Sequence, residues 1–300
     1  MTDHGPERVL LLGATGMLGG YLANYLPKHF ITYSPAPRNQ KTSTFPSSIE
    51  LLSKSLDLSN LESVDEILEE CKPDVIINCI AVTSNSHVTA DSIENITVNS
   101  LFPQVLAMSA SRNGCRLIHF STDGVFSGKR GNYSECDLPD PPDIYGLSKL
   151  LGEVVGDNCL TLRTTFYGLS GNSKGLLDWL LTQKDGRVKG YKNYIFSGLS
   201  MCALASVIVA IIKKPIFPTG LYHLGGPSIS KYELLTMFSE RFKLNINFEP
   251  ILTPIINRSL DSSNFWEMIG LDMPETVAMI DSIYLDPRSH VIADALKKLD

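Results

Sequence analysis

Thr122, Tyr145 and Lys149 have the types and the spacing to reduce a carbonyl group. Hydride addition to a ketone leaves an alkoxide that needs a proton. A tyrosine can supply it if a nearby cation favours the phenolate and draws its pKa down from about 10. In Tyr145-Gly-Leu-Ser-Lys149 the lysine follows by four residues, which on a helix puts both side chains on one face. The same ammonium can hold a nicotinamide ribose. Thr122, in Ser121-Thr122-Asp123, closes an apolar run, and its hydroxyl can polarise the carbonyl. Each piece alone is common; their order along one chain points to an oxidoreductase.

Chemistry of this kind needs a hydride carrier, and the N-terminal region is built to hold one. Gly13, Gly16 and Gly19 form a G-x-x-G-x-x-G turn between a strand and a helix. A turn there needs backbone freedom, and the helix start offers N–H donors and a positive dipole end to a pyrophosphate. Gly13, Thr15, Gly16, Met17, Leu18 and Gly19 are the expected cradle residues. The tip of the second strand selects the cofactor, an acid there favouring NAD and an arginine the 2′-phosphate of NADP. Tyr33-Ser-Pro-Ala-Pro-Arg38 contains no acid, so Arg38 favours NADPH, with NADH still open and a solvated surface role for Arg38 as the alternative. Asp57 and Leu58 are expected at the end of a third strand beside the adenine, or Asp57 caps the next helix. Asn78, Ala81 and Asn99 are candidates to line the cofactor site or to support it, and Ser121 is counted with them.

The elements that must position these groups alternate. Val9–Leu12, Phe30–Tyr33, Val75–Ile80 and Arg116–Ser121 read as strands, with helices over 17–26, 61–71 and 92–113 between them. Strands apolar on both faces and separated by helices imply a parallel sheet covered on both sides, an α/β Rossmann-like doubly wound fold. From Gly171 to Tyr194, and after Pro215, the alternation breaks. The expected organisation is a dinucleotide-binding domain over 1–168 and about 195–215. A smaller, irregular substrate-binding domain takes about 169–194 and 216–300. The apolar run Leu199–Ile212 is short of the ~20 residues of a membrane span and reads as a buried helix ended by Lys213-Lys214-Pro215.

Composition limits the partners. A net charge of −6 with no basic stripe argues against nucleic acid. The six cysteines have no metal-ligand spacing, and several lie in apolar runs, as free thiols do in a reducing cytoplasm. No leader precedes the first apolar run, so a cytoplasmic protein is expected, off the membrane, with a homodimer open as its assembly.

These motifs resemble an extended short-chain dehydrogenase/reductase, closest to the dTDP-4-dehydrorhamnose reductase branch. Its carriers are Gly13–Gly19, Phe120-Ser-Thr-Asp-Gly-Val-Phe-Ser-Gly128, Tyr145–Lys149, Leu162-Arg-Thr-Thr165, Gly220–Gly225, Ser230–Leu234 and Asn257–Ser262. The resemblance implies catalytic Thr122, Tyr145 and Lys149, with Thr83 and Asp123 near the substrate. It also implies a nucleotide-linked 4-keto-6-deoxy sugar in the C-terminal region, as in polysaccharide biosynthesis. Arg258 is a pyrophosphate candidate, out of register with the branch's own arginine, so that a surface role is its alternative. Three departures stand out: Gly124 replaces a tyrosine after Ser-Thr-Asp, no tryptophan follows Leu162, and Gly20-Tyr21 lack the glutamate through which some members bind Mg²⁺. No metal is therefore expected. Two alternatives remain at this stage. One is a sugar-nucleotide epimerase or dehydratase, although Asp123-Gly124 lacks half a dehydratase's acid pair. The other is a non-catalytic NADP-binding regulatory subunit like that of methionine adenosyltransferase.

Overall fold

Residues 7–37, 45–58, 60, 62–83, 92–170 and 175–289 are described by a computed structural model of the chain. Arg38 lies outside them. The chain divides into two compact units. The first comprises Met1–Val125, Pro141–Arg163 and Ile208–Tyr222; the second comprises Phe126–Asp140, Thr164–Val207 and His223–Asp300. These bounds depart from the sequence-based ones chiefly at Phe126–Asp140 and at 164–168, 195–207 and 216–222, because compactness follows contacts and not the alternation of elements.

In the first unit β1 (Arg8–Leu12), β2 (Ile31–Ser34), β3 (Glu50–Leu51), β4 (Val75–Asn78), β5 (Arg116–Thr122) and β6 (Cys159–Thr164) join the strand Gly220–Leu224 in a seven-stranded sheet. The order is Gly220–Leu224, β6, β5, β4, β1, β2, β3. β1 pairs in parallel with both β2 and β4, setting Leu12 opposite Asn78, and β4 pairs in parallel with β5, setting Asn78 opposite His119. The chain goes from β1 outward to β2 and β3, then crosses back to β4. The ends of β1 and β4 thus flank the point where strand order reverses, where sheets of this type bind ligands.

The strands lack polar alternation because both faces are covered. Val9, Leu10, Leu11 and Leu12 are each at most 1% exposed. On one face Leu10, Leu12, Ile76 and Leu117 pack with α2 (Glu62–Cys71), through Val64, Ile67 and Leu68, and with Phe102 and Leu106. Burial of each such side chain stabilises by roughly 1.5–3 kcal/mol. α1 (Met17–Tyr25) follows the glycine turn.

Two expectations are corrected. The third strand is Glu50–Leu51, paired with Tyr33 and Ser34 at the edge of the sheet, whereas Leu56–Leu58 follows as irregular chain. The single helix expected over 92–113 is α3 (Ser92–Asn95), a π-helical segment (Ile96–Leu101) and α4 (Phe102–Arg112). Pro103 explains the break. It has no N–H for the Asn99 carbonyl four residues back, and the wider turn lets Phe102 N–H donate to the Thr97 carbonyl.

The second unit is a set of small sheets and helices. Arg187–Tyr191 pairs with Asn247–Ile251, and Tyr194–Phe196 lies between Ile229–Ser230 and Ile256–Asn257. The helix Lys231–Phe242 begins with a full capping box, Ser230 and Glu233 satisfying each other's backbone N–H. Phe238, Phe265 and Trp266 are buried, and the indole N–H of Trp266 donates to the Gly225 carbonyl at 2.9 Å. The apolar run before Lys213 forms the helix Met201–Ile212. Among the described residues no helix is long and apolar enough to cross a membrane.

Candidate active site

The glycine turn is shaped by close backbone approaches. Gly13 has φ +80°, in the left-handed region, and a Cβ there would lie 2.8 Å from the Cys79 carbonyl carbon at the end of β4. A Cβ on Gly19 would lie 2.1 Å from the Gly13 carbonyl oxygen, so α1 can seat on the turn only without one. Gly16 N–H donates to that same oxygen at 2.9 Å. Gly16 is the N-cap of α1 and no side chain caps the helix, so its first N–H groups could serve an anion.

Beside this turn is a cavity of about 590 Å³. Of the residues expected from sequence, Gly13, Thr15, Gly16, Leu58 and Ala81 line it. Ser34–Pro37, in the strand tip expected to select the cofactor, line it as well, and so do Leu56 and, after β4, Cys79, Ile80 and Val82, which were not expected from sequence. For Cys79, Ile80 and Val82 a signal was available, since they follow β4, whose end flanks the reversal point. Met17 lies in the first turn of α1, while Leu18 and Gly19 are buried packing residues. Asp57 is exposed, and its backbone carbonyl accepts the Ser63 hydroxyl at 2.9 Å. At the start of α2 the Asn60 side chain accepts Glu62 N–H at 3.1 Å.

Asn78 and Asn99 stand behind the cavity wall. The Asn78 amide faces His119 Nδ1 at 3.1 Å, and its oxygen accepts Ile80 N–H at 3.1 Å. Asn99 is fully buried. Its side chain accepts from Val82 N–H and donates to Val82 O, both at 2.9 Å, and reaches the Ser148 hydroxyl at 3.1 Å. It therefore ties the loop after β4 to α5 (Ile144–Leu151), the helix that carries Tyr145 and Lys149.

The three candidate catalytic groups gather at the end of β5. Thr122 is its last residue, and its hydroxyl accepts Gly124 N–H at 3.0 Å and hydrogen-bonds Tyr145. Asp143 caps α5 by accepting Gly146 N–H at 2.8 Å. Lys149, one turn beyond Tyr145, is buried and donates its ammonium to the Phe120 carbonyl at 2.6 Å. Burial pushes the Tyr145 phenol up to about 12, against the pull of the Thr122 hydroxyl, with Asp123 and Asp143 adding to the rise. Lys149 is drawn down to about 8 by burial, opposed by the negative charge of Glu153 and by Cys79. The expected lowering of the phenol by Lys149 is thus corrected: burial raises it, the downward pull comes from the Thr122 hydroxyl, and the ammonium is engaged by a backbone carbonyl. A phenol held up in this way stays protonated at neutral pH, as a proton donor must.

The candidate substrate residues are spread wider. Thr83 is exposed in the loop after β4, and Asp123 follows Thr122 with its carboxylate 3.3 Å from that hydroxyl. A Cβ on Gly124 would lie 3.3 Å from Thr122 Oγ1 and 3.7 Å from Tyr145 Cε1, so any side chain there would border both residues. Arg258 belongs to the second unit, where its backbone N–H donates to Ile195 O at 2.9 Å and its Nε is buried without a partner. Ser121 is not among the residues that line the cavity, and its hydroxyl donates to Glu153 Oε1 at 2.7 Å. Among the described residues no cluster of His, Cys, Asp and Glu could hold a metal ion.

The chain is similar in sequence and fold to known proteins. A dTDP-4-dehydrorhamnose reductase of Aggregatibacter actinomycetemcomitans is 31% identical over 249 residues, 78% of this chain and 79% of the relative. The fold matches the structure of dTDP-4-dehydrorhamnose reductase from Bacillus anthracis in complex with NADP, with a TM-score of 0.78 at 24% identity over 94% of this chain and 100% of that one. A hypothetical dTDP-4-dehydrorhamnose reductase from Sulfolobus tokodaii matches with a TM-score of 0.74 at 26% identity, over 90% and 98% of the two chains. The model of the RmlD substrate binding domain family matches residues 7–261, and the chain belongs to that family, within the extended short-chain dehydrogenase/reductases.

Proposed function

We propose that this protein is an NAD(P)H-dependent reductase that converts the 4-keto group of a nucleotide-linked 4-keto-6-deoxy sugar to an alcohol. The observation that carries this reading is the grouping of Thr122, Tyr145 and Lys149 at the end of β5, in the same unit as the glycine cradle. The family and the reductase names of its relatives support it.

The cradle fits a dinucleotide. Gly13 and Gly19 leave no room for side chains, the helix end is uncapped, and the cavity reaches Ser34–Pro37, a stretch without a carboxylate. That absence and Arg38 favour NADPH. Bound there, the reduced nicotinamide supplies the hydride. The Thr122 hydroxyl and the Tyr145 phenol hold the carbonyl oxygen, and Tyr145 passes its proton to that oxygen as the alcohol forms. Lys149 supplies the positive charge that steadies the phenolate left behind. Arg258 is our candidate for the pyrophosphate of the substrate.

Six free thiols, three of them buried, suit a reducing compartment, and we place the enzyme in the cytoplasm. The test is to mix the purified protein with NADPH and dTDP-4-dehydrorhamnose and follow nicotinamide oxidation. Stoichiometric oxidation with formation of the 4-hydroxy sugar is expected. NADPH binding without turnover on any 4-keto sugar nucleotide would replace this reading with a regulatory one.

A further inference from the structure

Beneath α5 lies an ion pair that the chemistry above does not use. Arg163 on β6 meets Glu153 with both forks of its guanidinium, Nε to Oε1 and Nη2 to Oε2, each at 2.8 Å. The two side chains are 5% and 8% exposed. Burying such a pair is costly, and apolar residues of similar volume often serve stability as well or better, so fold stability alone is a weak reason for it.

Its place offers a better reason. Ser121 donates to Glu153 from β5, and the neighbouring Phe120 carbonyl accepts from Lys149. Carboxylate and ammonium are thus fixed to consecutive residues of one strand. Glu153 follows Lys149 by four residues, just past the end of α5, and that end cannot shift. A Cβ on Gly152 would lie 1.8 Å from the Asn99 carbonyl oxygen, and Gln104 Nε2 donates to both Leu151 O and Glu153 O at 3.2 Å.

We propose that Glu153, clamped by Arg163 and Ser121, is a positioning residue that holds buried Lys149 in its charged form and so sets the pH range over which the Tyr145 site works. This rests on the reductase reading of that site. Glu153 is the foremost group opposing the effect of burial on Lys149. The other ionisable groups nearby offer less. The Cys79 thiol after β4 is kept neutral by burial, and His119 on β5 is kept neutral by burial and by the charge of Lys149 itself. Tyr145 and Asp143 lie toward the start of α5, Asp123 acts on Tyr145, and Glu94, on the helix packed against α5, is exposed. Arg163 has its fork spent on Glu153.

The ionisation of Lys149 can be followed by NMR of ¹³C-labelled lysine, its signal assigned by its loss in Lys149→Met. Glu153→Gln keeps the shape and removes the charge, and should lower the midpoint by about one pH unit or more. The alkaline limb of kcat/KM should move with it. Because that variant takes the carboxylate from a buried Arg163, a second one, Glu153→Met with Arg163→Met, replaces the pair by apolar side chains and should also lower the midpoint. An unchanged midpoint in either folded variant overturns the proposal. Loss of the near-ultraviolet circular dichroism of the fold in both marks the pair as a folding device and overturns it too. A midpoint that moves in a protein reducing no sugar nucleotide upholds the Glu153–Lys149 coupling and refutes the reductase reading instead.

Discussion

Gly146 and Gly124 meet backbone to backbone: a Cβ on Gly146 would lie 2.2 Å from the Gly124 carbonyl oxygen and 3.0 Å from Cβ of Pro141. The first turn of α5 therefore rests directly on the turn after β5, and Tyr145 is brought to Thr122 by that seat. The obstacle is backbone, so it cannot swing aside as a long side chain would. Gly146→Ala should destabilise the protein by roughly 1–3 kcal/mol, as overpacking does, and lower turnover at least ~10-fold by moving Tyr145. Urea unfolding and steady-state rates check both. Wild-type turnover in this variant would mean that the seat does not position the phenol.

Tyr145→Phe removes the proton and leaves the ring. Turnover should fall at least ~100-fold, the scale of a positioned acid, with NADPH affinity nearly unchanged. Single-turnover rates and fluorescence titration of NADPH separate the two effects. Near wild-type turnover would move the proton donor elsewhere.

Lys149 gives the protein a pH signature. Its folded value, about 8, lies below the ordinary 10.5, so between them the unfolded chain binds more protons. Unfolding free energy should therefore rise with pH across that window, while below about 8 the cost of burying the charge is present in full. Lys149→Met should lack the rise, a difference on the order of 2–4 kcal/mol by denaturant titration at the two ends of the window. The rate runs the opposite way: kcat/KM should fall as Lys149 loses its proton near pH 8. Parallel stability curves for the two proteins would show that this lysine is not the buried cation.

Arg38→Asp addresses cofactor choice. The tip of β2 offers Ser34–Pro37 and no acid, so a phosphate held there depends on the arginine that follows. The variant should weaken NADPH binding by on the order of 1–3 kcal/mol and NADH binding much less. An unchanged preference, measured by the two dissociation constants, would place Arg38 away from the 2′-phosphate.

What the sequence determined by itself was local or periodic. The strand runs of β1, β4 and β5 were legible because both faces of the sheet are buried and the runs are apolar throughout. The glycine turn was legible because left-handed backbone at Gly13 and contact at Gly19 demand that residue type. Tyr145 and Lys149 were legible because a helix brings residues four apart to one face. Only the tertiary structure decided the partners. Asn78 meets His119 across 41 residues, Asn99 meets Ser148 across 49, and Ser121 meets Glu153 across 32. No periodicity encodes such pairs. Arg163 lies on the buried strand β6, where a guanidinium needs a counter-charge, and only the fold shows that Glu153 supplies it. The pKa of Tyr145 was misjudged for the same reason. Desolvation is set by everything that packs around a group, and that is fixed only when strands and helices distant in sequence close over it.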